Sequence, residues 1–151
     1  MTAIELFLSY SHKDEDLRKK LETHLMSLQH QNVIRTWHDG KISPGAEWEK
    51  EIHANLERAQ IILLLISADF IASKYCYGVE LSRALERHRA GQVRVVPVIL
   101  RPCDWQSTPI GNLQAVPKEA KPVTLWKNRD EAFADIAAAI RKVSIELSKN
   151  P

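Results

Sequence analysis

QIILLLI, residues 60–66, decides the fold. The run is of strand length and short for a helix, and everything after Gln60 is apolar. A strand with one wet face alternates apolar and polar side chains. Apolar side chains on both faces predict a parallel strand covered by helices above and below.

Working outward from it, the flanks repeat one unit. Upstream, Trp48, Ile52, Leu56 and Ala59 recur at helical spacing, and Ser43-Pro44-Gly45 is expected to open that helix. Residues 33–37 read as a short strand before it. Leu17, Leu21, Leu25 and Leu28 predict a helix, with Ser11 to Asp14 spaced as a capping box. Residues 3–9 are the first strand. Downstream, a loop over residues 67–77 leads to a helix on which Leu81, Ala84, Leu85 and His88 share a face, ended by Gly91. Residues 94–100 read as a fourth strand, although Pro97 argues against a regular central position. Residues 102–121 look irregular, and residues 122–125 are expected to form a fifth strand. Phe133, Ile136, Ala137, Ile140, Val143 and Leu147 mark the last helix.

This alternation predicts an α/β fold: a flavodoxin-like three-layer sandwich, with a five-stranded parallel sheet of order 2-1-3-4-5 and helices on both faces. Such sheets bind ligands beyond the carboxyl ends of their strands, where the strand order switches. Here that rule brings together Ser9-Tyr10-Ser11, Trp37-His38-Asp39, Ser67 and the segment holding Cys76, Tyr77 and Glu80.

The chain of 151 residues fits one domain, residues 1–151 with a core over about 3–147. The last four residues read as a tail or linker, as in a module cut from a longer multidomain protein. A hydrophobic fraction of 44% and a charged fraction of 26% suit a globular protein. The net charge of +2, with lysines and arginines scattered, gives no argument for nucleic acid. No apolar run is long enough to span a membrane, and no signal peptide is evident. Two cysteines, Cys76 and Cys103, make no disulfide framework, so a reducing, cytoplasmic setting is expected.

Several chemistries lack their residues. The five glycines form neither GxGxxG nor GxxxxGK[ST]. No His or Cys cluster has metal-ligand spacing, so no metal is expected. GxSxG is missing, which argues against an α/β-hydrolase. A receiver domain would need an acidic pair after the first strand, where Ser9-Tyr10-Ser11 stands. What remains around the crevice is a carboxylate with hydroxyls and aromatic rings, a set suited to binding a sugar or nucleotide and cleaving a glycosidic bond.

Four segments, in this order, resemble a Toll/interleukin-1 receptor (TIR) domain of bacterial type over about the whole chain. FLSYSHKD (residues 7–14) is similar to the family's first box. DGKISPGAEW (39–48) is similar to the second box, with its Pro-Gly. SKYCYGVEL (73–81) resembles the segment in which catalytic members carry a glutamate, and VVPVILRPCDW (95–105) a version common in bacterial members. The resemblance implies one of two functions. Many members associate with other TIR domains as signalling scaffolds. Others cleave NAD+ at the nicotinamide–ribose bond after self-association, releasing nicotinamide with ADP-ribose or a cyclised form, and bacterial ones often act in anti-phage defence. NAD+ would be a substrate, with no cofactor needed. A sensor or partner domain is expected in the full-length protein. A nucleotide sensor that binds without cleaving is a further alternative.

By this resemblance Glu80 is the catalytic residue, and Tyr10, Ser11, Trp37, Asp39, Trp48, Cys76 and Tyr77 are candidates for substrate contact. The family often spaces its glutamate as Trp-Cys-x-x-Glu, whereas this chain has Tyr-Cys-x-x-x-Glu. One inserted residue before the helix would absorb the difference, with Tyr75 or Tyr77 in place of the ring. Plainer roles compete. Glu80 would suit a first helical turn, with Arg83 as an i+3 partner. Trp48 would pack with Ile52 and Leu56, Trp37 would pack, Ser11 would cap, Asp39 would organise a turn with Gly40, and Cys76 would be a small buried hydrophobe.

Overall fold

All six residues of β3 (Ile61–Ile66) are fully shielded from solvent. The structure is a computed structural model that describes residues 2–149. β3 lies inside a four-stranded parallel sheet with β1 (Ile4–Ser9), β2 (Ile34–Trp37) and β4 (Arg94–Ile99), in the order β2-β1-β3-β4. Ser9 pairs with Leu64 at the carboxyl end of β1, whereas β2 ends its pairing at Phe7–Trp37. Ser9 therefore stands at the crevice where the strand order switches.

The two faces of β3 are divided residue by residue. Ile61, Leu63 and Leu65 pack with Leu21, Leu25 and Leu28 of α1 (Glu15–His30) and with Phe133, Ile136 and Ile140 of α5 (Arg129–Lys149). Ile62, Leu64 and Ile66 pack with Ile52 and Leu56 of α2 (Trp48–Arg58), Phe70 of α3 (Ala68–Ala72) and Leu81 and Leu85 of α4 (Leu81–Arg89). Each fully buried Leu or Ile is worth roughly 1.5–3 kcal/mol of transfer free energy, so this strand anchors both layers.

The predicted fifth strand is not there. Residues Val123–Leu125 form a 3₁₀ turn led by Pro122, which has no N–H to give a ladder. The outer side of β4 is met instead by a single bridge at Val116, whose N–H donates to Pro97 O and whose carbonyl accepts from Ile99 N–H. These bonds show that the backbone of Pro97 faces outward. Its missing N–H removes no bond to β3, which is how a proline fits an edge strand.

Three further expectations change. The segment 67–77 is helical rather than a loop. Ser67 caps α3 by accepting from Phe70 N–H at 3.1 Å, and a seven-residue π-helical segment, Lys74–Glu80, runs directly into α4. Helix α2 begins at Trp48, because Ser43-Pro44-Gly45 forms a turn in which Gly45 takes φ of 88°. Of the expected tail, Ser148 and Lys149 belong to α5, and Asn150 and Pro151 lie outside the described residues. Among the described residues, no helix is long and apolar enough to cross a membrane.

Candidate functional site

Side chains alternate along β1, so Leu6, Leu8 and Tyr10 face α1 and α5, while Phe7 and Ser9 face α2 and α4. The carboxylate of Glu80 meets Ser9 on that second face. The Ser9 hydroxyl donates to Glu80 Oε1 at 2.6 Å, and both residues are buried, at 1% and 6% exposure.

The segment before α4 explains how Glu80 arrives there. Ser73 accepts from Cys76 N–H at 3.1 Å and starts the turn. Leu81 N–H then reaches back to Cys76 O, an i→i+5 bond that fits one more residue into a turn than an α-helix does. A single extra residue in a helix takes this form, and it accommodates the spacing Tyr-Cys-x-x-x-Glu. Glu80 points inward, while its neighbour Val79 stays 56% exposed. Helical bonding begins at Ser73, so Glu80 does not sit in the first turn. Arg83 is also engaged elsewhere: its guanidinium clasps Glu57 and bonds Glu86 at 2.7 Å. Neither the macrodipole nor an ion pair with Arg83 accounts for Glu80.

The surroundings raise its pKa. Burial pushes Glu80 from 4.5 up to about 7; the Ser9 hydrogen bond works against that rise and the charge of Asp39 adds to it. Cys76 is pushed up to about 11 by burial and then by Glu80, and its thiol donates to Tyr10 O at 3.3 Å. A thiol so placed is no nucleophile at neutral pH, in keeping with a structural cysteine.

Asp39 follows β2 in a short 3₁₀ turn. Its Oδ2 lies 3.2 Å from His12 Nε2, the Tyr10 hydroxyl interacts with the same carboxylate, and its buried Oδ1 has no close hydrogen-bond donor among the described residues. His38 anchors this turn. Its Nδ1 accepts from Gly40 N–H at 3.1 Å, which puts the ring proton on Nε2, 3.2 Å from Glu22 Oε1. Burial lowers its pKa; the charge of Glu22 opposes that, and Arg18 and Lys41 add to it. Gly40 is required here, because a Cβ would stand 2.8 Å from the His38 ring.

The remaining candidates divide. Trp48 is 42% exposed, not packed in the core, and its ring lies 4.5 Å from that of Tyr75. The two rings line an open groove of about 800 Å³ with Ile52, Leu56, Val79 and Arg83. This groove runs along the outer side of the segment whose inner side carries Glu80. Tyr10 turns its ring to the other face of the sheet, under the Arg18 guanidinium at 5.1 Å. Burial, with Asp39 beside its hydroxyl, pushes Tyr10 up to about 12. Ser11 caps the turn ahead of α1 by accepting from Lys13 N–H at 3.2 Å. Trp37 packs on Phe7 with the rings tilted by 32° at 5.3 Å, and Tyr77 is half-buried against the α2–α4 side of the core. Ser9 is the residue that sequence reasoning did not single out. The alternation along β1 was the available signal.

A second polar cluster closes the same end of the sheet. Asp14, buried, accepts from Ser67 Oγ and from Arg101 Nε at 2.8 Å, and Arg101 also holds Asp69. All its groups are partnered, so it fastens β1, β3 and β4 together. Among the described residues no group of His, Cys, Asp and Glu is arranged to hold a metal ion.

Comparison with known proteins places the fold. A protein of Sinorhizobium fredii, y4lF, described as uncharacterized, is 50% identical over 139 residues; the match covers 92% of this chain and 43% of that protein, so the chain spans under half its length. The TIR domain of the Toll-related receptor TRR-2 from Hydra magnipapillata superposes with a TM-score of 0.64 at 17% identity, covering 91% of this chain and 96% of that one. The TIR domains of the activated Roq1 resistosome, which directly recognizes the effector XopQ, align with a TM-score of 0.51 at 28% identity over 64% of this chain and 57% of that one. The RPS4 and RRS1 TIR domain heterodimer gives 0.56 at 13% identity, with 93% and 99% coverage. The sequence profile of the TIR domain matches residues 6–138, and the chain belongs to the TIR domain family.

Proposed function

We propose that this domain cleaves NAD+ at the nicotinamide–ribose bond, with Glu80 as its catalytic carboxylate and self-association as its switch. The observation that carries the reading is the setting of Glu80: a buried acid at the carboxyl end of the sheet whose hydrogen-bond partner is a neutral hydroxyl. An isolated buried carboxylate is costly to fold around. Structural acids in this chain, such as Asp14, are matched with arginine. Perturbed carboxyls at strand ends are candidates for chemistry.

The chemistry asks little more. As the C1′–N bond breaks, its electron pair goes to the nicotinamide ring, which leaves neutral. Positive charge develops on the ribose in an oxocarbenium-like transition state. Ionised Glu80 stabilises that charge, a contribution of roughly 10²–10³ in rate for one well-placed group. Water then adds to C1′ and releases a proton, giving ADP-ribose; attack from within the same molecule gives a cyclised product. Nicotinamide departs from a cationic ring, so no general acid is needed. The Asp39 carboxylate, at the end of β2 beside the Tyr10 hydroxyl, suits a ribose hydroxyl. The exposed Trp48 and Tyr75 rings offer a stacking face for the nucleotide.

In this reading, substrate held at the outer groove reaches the inward-facing carboxylate through a rearrangement of the site. Contact with a second TIR domain is the natural trigger, and relatives of this fold occur as a resistosome and a heterodimer. The exposed apolar Trp48 and Val79 equally favour a second reading, an association module without catalysis. Incubating NAD+ with protein over a wide concentration range, with nicotinamide followed by chromatography, separates the two. Release that rises per molecule with concentration supports the enzyme. No release at any concentration, with a crowding agent included, favours the module.

A further inference from the structure

We infer that Ser9 is a positioning residue for Glu80: its hydroxyl holds Oε1 in place and leaves Oε2 as the oxygen that faces the reacting sugar. The inference rests on the reading of Glu80 as the catalytic carboxylate and adds a residue with a separate, measurable role.

The geometry is specific. Ser9 and Glu80 are 71 positions apart and meet at 2.6 Å with almost no access to water. At 1% exposure the Ser9 hydroxyl has little solvent to bond instead, and at the end of β1 it lies beyond the reach of β2. Strand β1 is pinned by β3 through Ser9–Leu64, so the donor is fixed by the sheet and not by a loop. The acceptor sits on a π-turn, which sets its height along the helix. Rigid donors of this kind set the orientation of a catalytic group at little entropic cost. A hydrogen bond to a carboxylate also favours its charged form. Ser9 opposes burial and Asp39, and so brings part of the Glu80 population into the ionised state that the chemistry uses. The other titratable groups around Glu80 are Asp39 after β2 and Tyr75 and Cys76 on its own segment; Glu49 of α2 acts on Tyr75.

The test is Ser9→Ala, with Ser9→Thr as the variant that restores a hydroxyl. Two measurements are made on each protein: kcat/KM for nicotinamide release against pH, and the ¹³C-carboxyl NMR titration of Glu80 without NAD+, assigned with Glu80→Gln. Removing the donor should move the Glu80 midpoint upward by about one pH unit in both measurements and lower kcat more than it raises KM. Ser9→Thr should recover much of the midpoint. An unchanged NMR midpoint in a folded Ser9→Ala protein would overturn the inference, as would an activity loss with no movement of either midpoint. If the wild type releases no nicotinamide, the NMR titration still decides whether Ser9 governs Glu80, and the failure belongs to the catalytic reading alone.

Discussion

Replacing Glu80 with Gln should stabilise the protein at alkaline pH and progressively less so as pH falls. The folded-state pKa of Glu80, about 7, lies above its ordinary 4.5. Between these values the folded chain keeps a proton that the unfolded chain has lost, so stability falls as pH rises through the window. Below about pH 4.5 the penalty is absent, and above about pH 7 it is fully present. The interval corresponds to about 3 kcal/mol. Gln removes the charge and keeps a carbonyl oxygen to accept from Ser9. It also buries an amide that needs partners, a cost of about 1–3 kcal/mol that does not vary with pH. The diagnostic quantity is therefore the change in the difference between the two proteins. From about pH 4.5 to about pH 8.5, wild type should lose about 3 kcal/mol relative to Glu80→Gln, or roughly 6–12 °C in Tm for a chain of this size. Urea unfolding at four or five pH values measures it, and His38 and the other titrating groups cancel because both proteins share them. Parallel stability profiles across the range would refute the claim that Glu80 is a buried, uncompensated acid.

Other expectations are as direct. If ionised Glu80 is the working form, kcat/KM for nicotinamide release should rise with pH through a midpoint near 7, and a flat profile from about pH 5 to 8 would contradict that. Trp48→Ala should reduce NAD+ turnover at least about tenfold while costing only about 1 kcal/mol of stability, because the ring is exposed and packs on Tyr75; a large melting shift with normal turnover would make it structural. Arg101→Ala should destabilise the fold by about 2–3 kcal/mol in urea unfolding, since it leaves Asp14 buried with Ser67 as its remaining partner, and a loss under about 0.5 kcal/mol would contradict the fastening role.

The sequence made most of the framework legible for physical reasons that can be named. Residues 61–66 are apolar on both faces because helices cover both, and the leucines of α1 recur because one side of that helix meets the sheet. The fifth strand misled because residues 122–125 have strand-like composition, yet the bridge to β4 is made by Val116, and nothing local to either segment records which one reaches the edge. The segment 67–77 carries Ser, Asp and Lys, polar residues common in loops; its helix depends on the Ser67 and Ser73 caps and on packing of Phe70, which are tertiary facts. Glu80 could be named from its neighbours in sequence. Ser9 could not be paired with it, because their contact exists only once β1 and the π-turn are brought together. Tyr10, one residue on, faces the opposite side of the sheet by strand alternation, which separates its ring from Glu80 and leaves its carbonyl to hold Cys76.

The role of Glu80 is decided by incubating concentrated wild-type protein and Glu80→Gln with NAD+ side by side, following nicotinamide by chromatography and checking both folds by circular dichroism. Wild type should give nicotinamide and an ADP-ribose product, and an equally folded Glu80→Gln should give none. Turnover retained in Glu80→Gln would contradict that role, and so would two inactive proteins under conditions where the wild type demonstrably self-associates.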